Sequence, residues 1–279
     1  MKYLRIGNDG SERPAVLDAD GNIRDLSGIV PDIDGATIAS GALSSLRLSD
    51  VDKLPIVEGE RIGPCLARPV NMVCIGLNYV DHAREGGLPV PSEPIIFLKS
   101  LSSYCGPNDA VRLPQGARKV DWEVELGVVI GKRASNVSEA AAMDHVAGYC
   151  VVNDVSEREF QLDLGGTWDK GKGCDTFGPT GPWFVTADEV PDPQALRMWL
   201  DVDGQRMQDG TTRDMIFGVR ELISYVSRFI TLHPGDIVAT GTPAGVGHGM
   251  KPEPVYLKAG QSMTLGIEGL GQQCQQVVG

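Results

Sequence analysis

Residues 121–132 read DWEVELGVVIGK. The apolar run from Val124 to Ile130 predicts a long strand closed by Gly131-Lys132. Side chains on a strand alternate faces, so Glu123 and Glu125 share one face while Trp122, Val124 and Leu126 share the other. Two neighbouring carboxylates on a largely apolar strand repel each other and lose hydration. A divalent cation relieves both costs, because hard cations take carboxylate oxygens. The exposed face of an edge strand fits the same pattern.

Outward from this stretch the chain reads as short strands with few helices. Upstream, NMVCIGLNY predicts a strand ending in Gly76, DHARE a helical turn stopped by Gly86-Gly87, and PIIFLKS a further strand. Downstream, Ser138 is placed to cap a helix, YCVVND is an apolar strand ending in an acid, and Asp203-Gly204 turns a hairpin. In GVRELISYVSRF, Val219, Leu222, Ile223, Val226 and Phe229 fall on one helical face. GDIVATGTPAGVG predicts a strand running into a Gly-rich loop, and SMTLGIEGLGQQCQQVV two last strands. Residues 1–65 predict a small N-terminal β-rich domain with a hairpin at Asp20-Gly21 and a short helix in ATIASGALSSLRL. Residues 66–279 predict the catalytic domain. The helices are too few to alternate with strands, which predicts a β-rich α+β fold.

Composition narrows the function. Hydrophobic residues make up 42% of the 279-residue chain and charged residues 22%, as expected of a core-forming protein. A formal net charge of -12 repels phosphate backbones and anionic lipid heads, which argues against nucleic acid and membrane partners. A small anionic substrate needs local Lys, Arg or metal to overcome that field. The six cysteines are scattered without a Cys-x-x-Cys pair and read as reduced thiols. The start MKYLRIGNDG lacks an apolar leader segment, which places the expected location in the cytoplasm.

A third acid favours the cation. Asp154 closes AGYCVVND, a stretch with nothing basic in it, and an acid at a core strand's end aims into a cleft. Three carboxylates leave positions open for water or substrate, as Mg²⁺ requires. His/Cys zinc spacing is absent. After Asp154, Ser156 and Glu159 fit a capping box, which puts Arg158 and Gln161 on one face of a new helix, near the ion or on a solvated surface. His82 and Glu85 lie three apart, so on a helical turn the acid can orient the imidazole as a general base, though such pairs also decorate surface helices. The flanking glycines and LPVPSEP suit a mobile lid. Lys170 and Lys172 stand between glycines, where a lysine on a strand can face an anion or simply be solvated. GTPAGVGHG, residues 241–249, lacks the ending of a phosphate loop and suits a close backbone approach to a ligand.

Taken in order, IGLNYVDHAREGG, DWEVELGVVIGK, GYCVVNDVSEREFQ, KGKGCDTFGPTGPW and GDIVATGTPAGVG resemble the fumarylacetoacetate hydrolase family across roughly residues 70 to 270. The resemblance implies mixed rolled β-sheets, a Mg²⁺ or Mn²⁺ site, and a homodimer. It implies that Glu123, Glu125 and Asp154 hold the metal, that His82 with Glu85 activates water, and that Lys172 sits at the substrate. Arg158, Gln161 and Thr242 match family positions near the substrate. Ser100 stands where relatives commonly have Pro, and Cys174 where they often have Phe. The N-terminal stretch is similar to that of the subgroup cleaving 2,4-diketo-3-deoxy sugar acids such as the rhamnonate or fuconate derivative. The implied activity is metal-dependent hydrolysis of a C–C bond in a small anionic 2,4-dioxo acid. Acylpyruvate hydrolysis, ureidoglycolate cleavage, oxaloacetate decarboxylation and dienoate isomerisation are alternatives on the same scaffold, and a non-catalytic metal-binding protein is the alternative from another class.

Overall fold

The computed structural model describes residues 1–279. Its strands, in chain order, are β1 (Lys2–Ile6), β2 (Arg13–Leu17), β3 (Ile23–Asp25), β4 (Ile56–Val57), β5 (Met72–Gly76), β6 (Ile95–Leu98), β7 (Val124–Ile130) and β8 (Val146–Asn153). They continue as β9 (Gly178–Thr186), β10 (Arg197–Val202), β11 (Gln205–Thr211), β12 (Ile237–Ala239), β13 (Ser262–Ile267) and β14 (Gly271–Val278), with several two-residue pairs between. The large sheet runs β4-β3-β2-β1-β9-β8-β7-β12-β5-β6, and a second sheet runs β11-β10-β13-β14. Most neighbours are antiparallel, but β12 and β5 pair in parallel, so the large sheet is mixed. The fold is α+β and strand-rich, with mixed, rolled sheets, as the sequence predicts.

Strand β7 lies at the centre, with every residue buried and only Glu125 charged in an otherwise apolar run. Val124, Leu126, Val128 and Ile130 pack with Met198, Leu200, Met263 and Leu265 of the second sheet. Val129, with Cys150 and Val152 of β8, packs on the opposite face with Tyr3, Leu26, Ile33 and Met72. The first 57 residues thus extend the large sheet edgewise through the β1–β9 pairing and also cover one of its faces.

The long strand expected from Asp121 to Ile130 is broken. Val120–Asp121 pairs separately with Ser156–Glu157, and β7 starts at Val124. Side-chain acceptors replace the ladder at the break: Glu123 N donates to Asn153 Oδ1 (3.2 Å) and Val124 N to Gln208 Oε1 (3.0 Å). The helix after Asp154, Arg158–Leu162, is capped by Glu157, whose side chain accepts from Phe160 N at 2.6 Å, while Ser156 Oγ donates to Asp154 O. The capping-box reading was therefore one residue out. Ser138 does occupy an N-cap position, but its hydroxyl makes no cap bond. The helix Val219–Val226 buries Val219, Leu222, Ile223 and Val226; Phe229 falls beyond its end and is 61% exposed.

Candidate active site

Three helices and the β7–β8 pair bring the functional side chains together: α1 (Val80–Glu85), α2 (Arg158–Leu162) and α3 (Asp169–Lys172). Glu125 faces Val152 across the β7–β8 ladder, Glu123 sits at the bend before β7, and Asp154 follows the last residue of β8. Asp154 N donates to Glu123 O at 2.9 Å, which locks the two chain turns side by side. Carboxylate oxygens of Glu123, Glu125 and Asp154 lie within 4.8 Å of one another, and all three residues are buried. The convergence read from the sequence is the geometry found.

Lys172 lies on a short helix, not on the strand the sequence suggested. Its place there follows from a close approach: a Cβ on Gly171 would stand 2.6 Å from Gln161 N, so α2 and α3 touch backbone to backbone. Lys172 Nζ donates to Glu123 Oε2 (2.6 Å) and Asp154 Oδ2 (2.9 Å), and lies 5.1 Å from the Phe97 ring centroid. Arg158 donates from Nη2 to Glu123 Oε1 (2.6 Å), from Nε to Asp121 Oδ2 (2.8 Å) and from Nη1 to Gln161 Oε1 (3.0 Å). Thr242 Oγ1 donates to Val124 O and accepts from Gln208 Nε2. Lys170 stays at the surface, bonded to Leu164 O. His82 Nδ1 is buried without a hydrogen-bond partner, 3.6 Å from Glu85 Oε2. That distance exceeds a hydrogen bond. Glu85 instead accepts from Gly245 N at 3.0 and 3.2 Å.

A cavity of about 200 Å³ joins these groups. Its polar wall is His82, Glu123, Glu125, Arg158, Gln161, Lys172, Thr242 and His248, and its apolar wall includes Ile75, Leu77, Phe97 and Trp168. Asp154 and Glu85 stand behind that lining.

Three residues of this machinery were not singled out as site residues from the sequence. Lys99 Nζ bonds Asp154 Oδ1 (2.5 Å) and Val155 O, holding the acid from the side opposite Lys172. Asp121 pairs with Arg158 and accepts from Gly247 N (2.7 Å) and His248 N (3.0 Å). Gln208 joins the β7 bend to Thr242. Lys99 and Asp121 lie inside quoted motifs, and a charged residue in an apolar strand context was the available signal. Gln208 carries no such signal, since its site is made by a strand of the second sheet.

The electrostatics test whether an ion fits. Around the cavity the buried acids Asp121, Glu123, Glu125 and Asp154 exceed the buried cations Lys99, Arg158 and Lys172 by one. Despite burial, Lys172 and Arg158 hold Glu123 well below the usual carboxylate range. Burial, Asp154 and Glu123 push Glu125 well above it, with a single backbone donor, Gly241 N at 2.9 Å, in compensation. Burial lowers Lys172, but Asp154 and Glu123 outweigh it and keep the ammonium charged. An under-compensated carboxylate beside two others suits a hard divalent cation, and the residues fit that group. No helix is long and apolar enough to cross a membrane.

Comparison with known proteins shows what the chain and its fold are similar to. A Burkholderia multivorans protein provisionally named a hydrolase is 61% identical over 276 residues, covering 99% of this chain and 98% of its own length. The solved fumarylacetoacetate hydrolase of Exiguobacterium antarcticum superposes with a TM-score of 0.87 at 35% identity, covering 100% of this chain and 99% of its own. A maleylpyruvate hydrolase from Sphingobium sp. SYK-6 gives 0.82 at 29% identity, with 100% and 99% covered. A 2-hydroxyhepta-2,4-diene-1,7-dioate isomerase from Mycobacterium marinum gives 0.75 at 30%, with 100% and 98% covered. The family description that matches residues 71–278 is the fumarylacetoacetate (FAA) hydrolase C-terminal domain, and the chain belongs to that family.

Proposed function

We propose that this chain is a divalent-metal-dependent hydrolase that cleaves the C3–C4 bond of a 2,4-dioxo acid. The observation that carries the reading is the buried convergence of Glu123, Glu125 and Asp154 beside a cavity that also holds His82, Lys172 and Arg158. A Mg²⁺ or Mn²⁺ ion held by the three acids would supply Lewis-acid polarisation of the oxo acid.

The protein's own groups account for the rest. His82 takes a proton from water, and a small rotation that closes its 3.6 Å gap to Glu85 fixes the tautomer and stabilises the imidazolium. The water oxygen adds to the carbonyl carbon C4, the C3–C4 bond breaks, and C3 departs as the enolate of pyruvate. The enolate takes up the proton at C3, giving pyruvate and a second acid. The charged Lys172 ammonium faces the developing oxyanion. Arg158 and Gln161, bonded to each other, orient the substrate from the adjoining wall. The narrower substrate proposed is a 2,4-diketo-3-deoxy rhamnonate or fuconate, which would yield pyruvate and lactate; the similarity of the N-terminal stretch to that subgroup motivates it. Two copies are proposed to pair as a homodimer, which sedimentation would read as twice the 29.8 kDa chain mass or, against it, once that mass.

A panel of 2,4-dioxo acids assayed with Mg²⁺ or Mn²⁺ tests the reaction. Pyruvate and a second acid should form, stop with chelator and resume with metal. Carbon dioxide, urea or a single isomerised product would overturn the hydrolase in favour of another reaction on the same scaffold.

A further inference from the structure

One polar side chain on the cavity wall has no part in the chemistry above. His248 lies in the turn Gly247–Gly249, where the loop after β12 returns over the site. The turn is pinned rather than loose: Gly247 N and His248 N both donate to the buried Asp121 carboxylate, and Gly247 O accepts from Val255 N at 2.9 Å. The ring Nδ1 is 2.8 Å from Tyr256 Oη, and Nε2 makes no hydrogen bond to the protein. Tyr256 therefore fixes the ring and leaves one nitrogen for a ligand.

We propose that His248, backed by Tyr256, reads the acyl end of the dioxo acid and selects an uncharged, hydroxyl-bearing acyl group over a carboxylate-bearing one. This inference rests on the hydrolase reading. Two observations carry it. First, both cations of the cavity wall are committed away from the acyl end: Lys172, paired with Glu123 and Asp154, faces the oxyanion of the dioxo acid, and Arg158 is held by Asp121, Glu123 and Gln161. A second carboxylate at the acyl end would lie against Leu77, Phe97 and Trp168 with no free cation to pair it, and an unpaired buried charge is strongly disfavoured. Second, burial and the nearby Arg158 hold the His248 imidazole below its ordinary pKa, so at neutral pH it is a neutral donor or acceptor. A neutral imidazole suits a hydroxyl and offers a carboxylate no charge.

The test compares matched substrates: a 2,4-dioxohexanoate with a hydroxyl beside the 4-carbonyl, the same acid without it, and an acid whose acyl end carries a carboxylate. The wild-type enzyme should prefer the hydroxylated acid by kcat/KM. In His248→Leu the ratio of hydroxylated to deoxy substrate should fall about 10–100-fold, the loss expected for one specific hydrogen bond. Tyr256→Phe should lower the same ratio less. His248→Arg should raise the ratio of carboxylate-bearing to hydroxylated substrate. A wild-type enzyme indifferent to the hydroxyl, or a preference that survives in both His248→Leu and Tyr256→Phe, would overturn the assignment while leaving the hydrolase intact. A wild-type enzyme inactive on all three acids would overturn the hydrolase reading, and this assignment with it.

Discussion

At the scale of single residues the site is a balance among buried charges, and each substitution should disturb it in a defined direction. Replacing His82 with Ala removes the base but touches none of the three acids, so turnover should fall about 10²–10⁴-fold while calorimetric metal binding persists. Retained turnover would reassign the base. Glu125→Gln should act oppositely on two properties: it should raise the stability of the metal-free protein, by removing an under-compensated charge, and weaken metal binding. The pH dependence has a definite sign. The folded-state pKa of Glu125 is raised above the ordinary carboxylate value of 4.5, so its contribution to stability is full below that value and is lost as pH rises through the raised pKa. Melting temperatures with chelator should accordingly show a loss above about pH 4.5 that Glu125→Gln lacks. With metal present the charged form is the ligand, so the gap between loaded and metal-free protein should widen as pH rises. The acids themselves were legible in the sequence because carboxylates in apolar strands are costly. The gap between His82 and Glu85 was not, because i, i+3 spacing brings two side chains near each other without deciding that Glu85 accepts from Gly245 N instead.

At the scale of elements, function depends on how tightly short pieces are held. The α2–α3 contact is the sharpest case, since Gly171 leaves no room for a side chain. Gly171→Ala should push α3 outward, cost about 1–3 kcal/mol in urea unfolding as overpacking does, and lower kcat by displacing Lys172. Unchanged kinetics would show that the position of α3 does not matter. Asp121 joins elements differently, tying Arg158 to the 245–249 turn. Asp121→Ala should cost about 3–5 kcal/mol, the penalty for leaving a buried charge partner, and should raise KM more than it lowers kcat. Periodicity located most strands and the apolar faces of β7. It missed the break at Trp122–Glu123, because the groups that replace the ladder there, Asn153 and Gln208, come from residues 30 and 84 positions away. It also set Lys172 on a strand, since a four-residue helix with one glycine inside it and another after it shows no helical period.

At the scale of the whole molecule, the large sheet acts as a platform: the second sheet and the first 57 residues cover its two faces, and the cavity opens where β5, β7 and β12 meet the helices. The net charge of -12 repels anions at a distance, so capture of a small acid depends on local cations and the metal. Metal saturation should therefore be visible in global stability. At a hundredfold excess over Kd, a bound ion should add about 2.7 kcal/mol to unfolding free energy. The fold class was readable from the order of strands and turns, whereas the way the N-terminal strands dock edgewise onto β9 was not, because that register depends on residues about 180 positions apart.

The central claim is that three acids, distant in the chain, share one cation, and titration calorimetry with Mn²⁺ on wild-type protein and on Glu123→Gln, Glu125→Gln and Asp154→Asn tests it most directly. One ion per chain should bind the wild type, and each substitution should weaken that binding at least tenfold, about 1.4 kcal/mol. Stoichiometric binding unaffected by all three substitutions, or none to the wild type, would contradict the account.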